Sequence, residues 1–223
     1  MLEIEYENNE EMIITTITEK IHTYNNFPNK EKIVSELYQK ALPKSRIAFP
    51  NENITPVQSA VLLLLYPKNG QTHLVFIERT KDNRVHSGQI AFPGGRFDSE
   101  AGDITLEDTA LRETYEEIGI AKENIVTIGK LSDLYIAPSN FNVAPFIAYM
   151  HSTPYFVRCE EEVNKILEIP LSDLLQQNNL KIAEFETYSG KISAPCYMWN
   201  DIKIWGATAM MLTEFLFVMQ LEV

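Results

Sequence analysis

An Asn-Gly pair, Asn69–Gly70, lies between two apolar runs and constrains the fold more than any other feature of the chain. The runs are SAVLLLLY (59–66) and THLVFIER (72–79), joined by PKNGQ. Both central residues of the favoured two-residue turn need positive φ, and Asn-Gly supplies them at low cost. The sequence therefore predicts a β-hairpin of two adjacent antiparallel strands.

The rest of the chain mixes strand and helix signals. Strand candidates lie at 89–92, 124–131, 142–150, 163–169, 180–188 and 196–204. Helix candidates lie at 105–118 and at about 206–220. Because strands and helices do not alternate regularly, the order favours the α+β class over a doubly wound parallel sheet.

The N-terminal part has a helical pattern without glycine. Apolar residues recur every four positions, first as Ile13, Ile17 and Ile21, then as Ile33, Leu37 and Ala41. Asn29 precedes the second series and is a candidate helix cap. We therefore expect an N-terminal helical extension, 1–50, and a main domain, 51–223. The extension is expected to pack on the main domain or on a partner subunit, which favours a homodimer.

Charge and cysteine content exclude several classes of protein. The net charge is -12, and no basic stripe is present to neutralise phosphates, so nucleic-acid binding is not expected. Cys159 and Cys196 lie far apart without C-x-x-C spacing, which argues against a zinc site and a disulfide framework. Both are expected to serve as small buried hydrophobic residues. Met198, Trp199 and Trp205 are expected in the core rather than as stacking partners of a cofactor.

Neither end of the chain carries a membrane or export signal. The N-terminal MLEIEYENNEE is acidic and lacks the basic start and apolar centre of a signal peptide. The segment 206–223 contains Glu214 and falls short of the roughly 20 apolar residues that a spanning helix needs. We expect a mostly buried C-terminal helix, no membrane partner and a cytoplasmic location.

The stretch RETYEEIG (112–119) concentrates negative charge on one short helix. Glu113, Glu116 and Glu117 are related by i+3 and i+4 spacing, so their carboxylates share one helix face. Such like-charge pairs destabilise a helix by roughly 0.2–0.5 kcal/mol each, and no lysine on this helix offsets them. An ordinary solvent-exposed charged face is the alternative interpretation.

The ends of this helix also have sequence signals. Asp103 or Thr105 is expected to cap its start, and Gly119 stands where helices commonly end with positive φ. Arg112 lies one turn before Glu116 and is expected to hold a carboxylate. The preceding FPGG (92–95) allows a phosphate or metal to approach the backbone closely. Clustered carboxylates beside such a turn suit Mg²⁺ or Mn²⁺, which prefer oxygen ligands.

These residues resemble the Nudix box, G-x5-E-x7-R-E-U-x-E-E-x-G-U with U aliphatic. Its second half matches residue by residue, as Arg112, Glu113, Thr114 at the first U position, Glu116, Glu117, Gly119 and Ile120. The first half departs, because three additional residues separate Gly95 from Arg112. The first glutamate of the box falls on Ile104 or Ala101, and the nearest acids are Asp103 and Glu100. The resemblance implies a Nudix fold, a mixed sheet sandwiched between helices in an α/β/α arrangement.

The preceding residues resemble a second signature, L-L-T-x-R-[SA]-x3-R-x3-G-x3-F-P-G-G, found in the coenzyme A pyrophosphatase branch of the family. It matches at Arg79, Arg84, Gly88 and the FPGG turn. Val75, Phe76, Ile77 and Thr80 replace other residues of the pattern. The overall resemblance covers about residues 58–215.

The resemblance implies hydrolysis of the coenzyme A diphosphate to 4′-phosphopantetheine and adenosine 3′,5′-bisphosphate. Mg²⁺ or Mn²⁺ would be held by Glu113, Glu116 and Glu117, which are also catalytic residues. Glu162, and less strongly Glu161, is a candidate general base, with an exposed charged run as the alternative. The substrate-binding residues would be Arg79, Arg84, Gly94 and Gly95, although either arginine alone fits a surface ion pair. His86 is expected to be a polar loop residue.

Three other functions stay open at this point. The chain fits a Nudix hydrolase of another substrate, such as ADP-ribose, NADH or a dinucleoside polyphosphate. The altered first half of the box also fits a weakly catalytic nucleotide sensor, which the intact RExxEExG disfavours. A third alternative is an interaction platform made by the N-terminal helices, with no dependence on metal.

Overall fold

The computed structural model describes residues 2–42, 55–80, 88–176, 180–187 and 190–222. The helices are α1 (Leu2–Asn25), α2 (Lys30–Ala41), α3 (Leu106–Ile118), α4 (Leu171–Gln176) and α5 (Gly206–Met219). A 3₁₀ turn occupies Lys122–Asn124. The strands are β1 (Val57–Lys68), β2 (Gln71–Arg79), β3 (Ile90–Ala91), β4 (Gly94–Arg96), β5 (Val126–Lys130), β6 (Leu134–Ile136), β7 (Phe141–Tyr149), β8 (Val163–Pro170), β9 (Lys181–Thr187), β10 (Gly190–Trp199) and β11 (Ile202–Trp205).

The main sheet is mixed and has eight strands. Its central order is β3–β2–β1–β7–β5, while β4 pairs with β1, β6 with β7 and β8 with β2. The β1–β7 pair is parallel, and the other pairs are antiparallel. Strands β9, β10 and β11 form a separate antiparallel sheet. The predicted α+β class is confirmed.

The Asn-Gly turn forms the predicted hairpin between β1 and β2. Lys68 pairs with Gln71 across the turn. Asn69 and Gly70 have φ values of 53° and 73°, the positive values that the turn requires. The hairpin places the long central strand β1 beside β2, whose end at Arg79 reaches the candidate site.

Both faces of β1 are covered. Leu62, Leu64 and Tyr66 belong to a buried cluster that also contains Ala110 and Ile118 of α3. Side chains at the alternate positions Leu63 and Leu65 belong to a second cluster. That cluster includes residues of α1, α2 and α5. The sheet is therefore sandwiched between α3 on one face and the terminal helices on the other, as the family resemblance implied.

The N-terminal helices pack on α5 through a buried polar cluster. Glu214 of α5 accepts hydrogen bonds from the hydroxyl groups of Tyr24 in α1 and Tyr38 in α2. Lys20 donates from Nζ to the carbonyl groups of Met219 (2.8 Å) and Leu221 (2.6 Å) at the end of α5. The predicted helices of the extension thus contact the main domain. The boundary at residue 50 lies outside the described residues and, like the homodimer, stays a prediction.

Some sequence-based expectations need correction. Asn29 occupies the N-cap position of α2 with φ 63° but makes no side-chain capping bond. The single strand expected at 196–204 is split into β10 and β11, because Asn200 adopts φ 50° in a turn. The elements β4, β6 and α4 were not predicted, since each is six residues or shorter. Within the described ranges, no helix is long and apolar enough to cross a membrane.

Candidate active site

The acidic helix α3 begins with a capping box. Thr105 Oγ1 accepts from the Asp108 backbone N–H (3.1 Å), and the Asp108 carboxylate accepts from the Thr105 N–H (2.7 Å). This reciprocal pair satisfies two amide groups that the first turn leaves without helical partners. At the other end, Gly119 has φ 76° and donates its N–H to the Tyr115 carbonyl. Of the two cap candidates, Thr105 is confirmed.

Asp103 instead anchors the side chain of Arg112. Its carboxylate accepts from Arg112 Nε (2.9 Å) and Nη2 (3.0 Å), from Thr109 Oγ1 (2.8 Å) and from the Asp98 N–H (3.0 Å). Burial alone would raise the pKa of Asp103, but these hydrogen bonds outweigh burial and lower the pKa to about 2. This pairing was not predicted. Its only sequence signal was an acid nine residues before Arg112, where the Nudix box is irregular.

Arg112 then distributes its remaining donors along the acidic face. Its Nη1 lies 2.9 Å from both Glu113 Oε1 and Glu116 Oε2, and Nη2 donates to the Arg96 carbonyl. The expected link between Arg112 and Glu116 is therefore present. The Glu116 side chain is 51% exposed, so it lies at the rim of the site.

Glu117 is the most unusual group of the site, because it is a fully buried carboxylate with too few donors. Its Oε2 accepts from the Gly94 N–H (2.9 Å). Its Oε1 lies 3.4 Å from Arg79 Nη1 and receives no hydrogen bond. Burial raises the pKa of Glu117 to about 8 against the opposing effects of Arg79 and Gly94.

The Gly94–Gly95 pair makes this arrangement sterically possible. Gly94 has φ 152°, and a Cβ there would collide with the carbonyl of Ala60. A Cβ at Gly95 would overlap the Glu113 carboxylate. The position of Gly94 therefore requires glycine for β4 to lie against β1, whereas a side chain at Gly95 would displace the Glu113 carboxylate from its present position.

A cavity of about 730 Å³ lies beside this group of residues. Glu116 and Glu117 are not among its described lining residues, but the two contacts of Glu117, Gly94 and Arg79, are. Arg79, Gly94, Gly95, Glu113 and Glu162 all line it. The Thr80 N–H donates to the Glu162 carbonyl (3.0 Å), which fixes the backbone of Glu162 beside the end of β2. Burial raises the pKa of Glu113; Arg112 opposes the shift, and the charges of Glu116 and Glu162 add to it.

The sequence predicted several residues that line this cavity but not all of them. Arg96, directly after the two glycines, also lines the cavity and was not predicted. Trp205 was expected in the core, yet it is half-buried and lines the cavity, whereas Trp199 packs against the core. The predicted residues Arg84 and His86 lie outside the described residues.

The donor set of this site fits a hard divalent cation. Among the described residues, no three His, Cys, Asp or Glu side chains converge as a ready-made metal cluster. However, Glu117 Oε1 is buried without a hydrogen bond from the described residues, directly behind the cavity wall at Gly94 and Arg79. Glu113 and Glu162 line the cavity and add negative charge there. Carboxylate oxygens of this kind are the ligands that Mg²⁺ and Mn²⁺ prefer. A cation would supply the close partner that Glu117 Oε1 lacks among the described residues.

The family model of the NUDIX domain matches residues 56–188. Nudix hydrolase 3 of Caenorhabditis elegans is 29% identical over 180 residues, which cover 74% of this chain and 74% of that protein. The uncharacterised Nudix hydrolase NudL of Enterobacter sp. (strain 638) is 31% identical over 157 residues, which cover 70% of this chain and 80% of that protein.

A solved structure of a MutT/nudix family protein from Enterococcus faecalis is also similar. It is 16% identical, with a TM-score of 0.49, over 90% of this chain and 73% of that one.

Proposed function

The chain belongs to the NUDIX domain family, and on this premise we propose that it hydrolyses the diphosphate of coenzyme A or of a coenzyme A derivative. More coarsely, it is a Nudix hydrolase of a nucleoside diphosphate derivative. The proposed products are 4′-phosphopantetheine and adenosine 3′,5′-bisphosphate. Phosphoryl transfer needs charge neutralisation and positioning more than covalent chemistry, and the acidic cavity offers groups for both.

One observation carries the proposal that this cavity is the catalytic centre. Glu117 is completely buried, yet one of its two oxygens has no hydrogen-bond donor in the part of the chain that the structure describes. A buried polar atom without a partner is costly, and structural carboxylates normally avoid it. The position is understandable when the missing partner arrives with the substrate, as a divalent ion does when bound to a diphosphate.

Glu117 and Glu113 are the proposed principal ligands of Mg²⁺ or Mn²⁺, with Glu116 as the third ligand on the same helix. When bound, such an ion neutralises diphosphate charge and lowers the pKa of water. Arg112 now contacts both Glu113 and Glu116. We therefore assign Arg112 a positioning role, in which its bonds to Asp103 hold it in reach of the two glutamates.

Glu162 is the proposed general base. It lines the cavity together with Glu113 and belongs to the loop before β8, not to the acidic helix. In the proposed step, a water oxygen forms a new bond to phosphorus while its proton passes to the Glu162 carboxylate. The bond from that phosphorus to the bridging oxygen breaks, and the departing phosphate takes the bonding electron pair.

Arg79 and Arg84 are the proposed partners of substrate phosphates. Arg79 lines the cavity, and its guanidinium is held near Glu117 at 3.4 Å, which leaves other N–H donors for a ligand. The planar guanidinium of arginine can donate two parallel hydrogen bonds to phosphate oxygens. The 3′-phosphate of coenzyme A is a further group that needs such donors. Gly94 and Gly95 are proposed to let a phosphate approach the backbone closely.

Product analysis by mass spectrometry tests the proposal. The purified chain is incubated with coenzyme A, ADP-ribose, NADH or a diadenosine polyphosphate, in Mg²⁺, Mn²⁺ or a chelator. Glu117→Gln serves as the matched variant of the proposed ligand. We expect metal-dependent release of 4′-phosphopantetheine and adenosine 3′,5′-bisphosphate by the unmodified chain only.

Each other outcome has a defined meaning. Turnover of a different substrate would retain the catalytic centre and overturn the assignment to coenzyme A. Nucleotide binding without turnover of any substrate would overturn the enzymatic proposal in favour of a sensor. Activity that persists in chelator and in Glu117→Gln would overturn the roles given to the acidic helix.

A further inference from the structure

The cavity continues beyond its charged residues to a second wall with no role in the chemistry described above. This wall is formed where β11 passes into α5, by Trp205, Gly206, Ala207 and Thr208. It carries no charged side chain. It therefore differs in chemistry from the end that contains Arg79, Glu113 and Glu162.

Trp205 is held on this wall by an aromatic stack. Its ring lies on Phe185 of β9, with centroids 4.4 Å apart and an angle of 18° between the rings. The Lys203 ammonium lies 5.7 Å from the Phe185 ring centroid. Because Phe185 covers one face of the indole, Trp205 is fixed in orientation before any ligand binds. Such preorganisation lowers the entropy lost on binding.

Space is available next to this aromatic ring. Gly206 has φ 64°, and a Cβ built on it would meet no heavy atom within 4 Å. The following residue, Ala207, has the smallest side chain and also lines the cavity. The two residues after Trp205 therefore add no bulky side chain to this wall of the cavity.

The aromatic wall is tied to the phosphate end of the cavity through β3. Thr208 Oγ1 donates to the Ile90 carbonyl (2.8 Å). β3 runs from Ile90 to Ala91 and is followed directly by the FPGG turn that carries Gly94 and Gly95. The glycine turn and Trp205 line the same cavity, so a single ligand bound there can contact both.

We propose that Trp205 is the stacking platform for the nucleobase of the substrate. The inference rests on the proposed function only in taking this cavity as the substrate site. Nucleobases are planar and heteroaromatic, and they stack on tryptophan with little dependence on base identity. Trp205 thus fixes which half of the diphosphate substrate lies near α5, while the other half extends away from the wall.

Intrinsic fluorescence tests the contact directly, because the chain has 2 tryptophans. Trp199 donates from Nε1 to Asp173 (3.0 Å) and packs against the core, so it provides the matched control. The probes are adenosine 3′,5′-bisphosphate, ADP-ribose and 4′-phosphopantetheine, each titrated in chelator to prevent turnover. We expect both adenine compounds to quench the fluorescence of the unmodified chain and of Trp199→Phe, but not of Trp205→Phe.

Affinities from calorimetry separate stacking from packing. Removal of an aromatic side chain on which a base stacks lowers the affinity for the ligand roughly 5- to 150-fold. Trp205→Leu should weaken both adenine compounds by about tenfold or more and leave 4′-phosphopantetheine within about twofold. Trp205→Phe should recover most of the loss, since a phenyl ring keeps a stacking face and its packing on Phe185.

The outcomes distinguish this inference from the proposed function. Base-dependent binding of ADP-ribose at Trp205, without hydrolysis of coenzyme A, would retain the platform and overturn the coenzyme A assignment. Loss of 4′-phosphopantetheine binding in Trp205→Leu, with adenine binding intact, would overturn the platform. Equal affinities of Trp205→Leu and the unmodified chain for all three probes would likewise overturn it.

Discussion

Glu117 and Glu214 are both glutamates with no solvent exposure, but their surroundings are opposite. Glu214, between α5 and the N-terminal helices, accepts from the Tyr24 hydroxyl (2.9 Å), the Tyr38 hydroxyl and the Ser132 N–H (2.9 Å). Glu117, on the side of α3 that faces the glycine turn, accepts only from the Gly94 N–H among the described residues. The two carboxylates have similar burial but differ in how many donors the chain supplies.

This difference separates a structural carboxylate from a functional one. A buried carboxylate contributes to a stable fold only when its oxygens are satisfied by donors. Glu214 has donors on both oxygens and joins four segments of the chain. One oxygen of Glu117 receives no hydrogen bond from the described residues. This lowers the stability of the fold, and a bound cation would relieve the loss.

The largest expected effect is the loss of catalysis in Glu117→Gln. We expect kcat/KM for the accepted substrate to fall by about 10²–10³-fold, because the amide replaces a charged ligand of the cation. The free energy of unfolding in metal-free buffer should not fall, since glutamine is neutral at a position where burial disfavours the charged carboxylate, and it keeps an acceptor for Gly94. Steady-state kinetics and urea unfolding measure the two quantities.

The matched control for that variant is Glu107→Gln, on the first turn of the same helix. It should keep kcat/KM within about twofold. A Glu117→Gln variant that loses stability but retains activity would show that Glu117, like Glu214, is a structural carboxylate.

Glu214→Leu should show the reverse pattern. The three donors of Glu214 would lose their acceptor, and each buried donor without a partner costs about 1–3 kcal/mol. We therefore expect the free energy of unfolding to fall by about 3 kcal/mol or more in urea titrations followed by circular dichroism. Tyr38→Phe, which removes one donor, should cost about 1.5–3 kcal/mol.

The kcat/KM of Glu214→Leu, corrected for the folded fraction, should stay within about threefold of the unmodified chain. A stability loss below about 1 kcal/mol would contradict the structural role given to Glu214.

Asp103 provides an intermediate case, a buried carboxylate satisfied mainly by Arg112. Its pKa is lowered in the folded protein to about 2 from an ordinary value of 3.8. A depressed pKa contributes stability above the unfolded value, and the contribution is lost as pH falls through the folded value. We expect a loss of roughly 2 kcal/mol between about pH 4 and pH 2 that is absent from Asp103→Asn.

Unfolding free energies measured at pH 5, 4, 3 and 2 test this prediction by comparison of the two chains. Parallel pH profiles would show that the bonds between Asp103 and Arg112 do not stabilise the fold.

The smallest expected effect concerns Lys20 of α1, which contacts the end of α5, the helix that carries Glu214. Its ammonium donates to the Met219 and Leu221 carbonyls at the C-terminal end of α5, where positive charge is favoured. Lys20→Met should lower the free energy of unfolding by about 0.5–1 kcal/mol and leave activity unchanged. Thermal unfolding at low and high salt measures it, and a loss that does not diminish with salt would contradict an electrostatic origin.

Local signals made several features predictable from the sequence. The Asn69–Gly70 hairpin, the Thr105 cap and the helix end at Gly119 depend on neighbouring residues and on the φ values that glycine and asparagine adopt. The adjacency of the glycine turn to the acidic helix followed from a family pattern, and in the structure Gly95 indeed lies against Glu113. Arg84 remains a prediction from that pattern.

Features that depend on the tertiary fold were not predictable in the same way. Asp103 had two competing local explanations, a helix cap and a displaced acid of the Nudix box, and only the folded loop directs it to Arg112. Glu214 was a lone acid in an apolar helix, which argued against a membrane span but named no partner. Trp205 was expected in the core rather than as a stacking residue, yet its place where β11 passes directly into α5 puts it at the cavity.

The hydrogen bonds of Glu214 also affect when, during synthesis, the N-terminal helices can complete their packing on the main domain. Tyr24 and Glu214 are 190 residues apart in sequence. On a ribosome α1 is made well before β5 and α5, so the apolar side chains Ile17 and Ile21 emerge long before the elements against which α1 packs. A long separation in sequence slows the formation of such contacts, so apolar surface stays exposed to solvent for longer. The same junction that completes the native structure thus makes α1 a segment at risk of aggregation during synthesis.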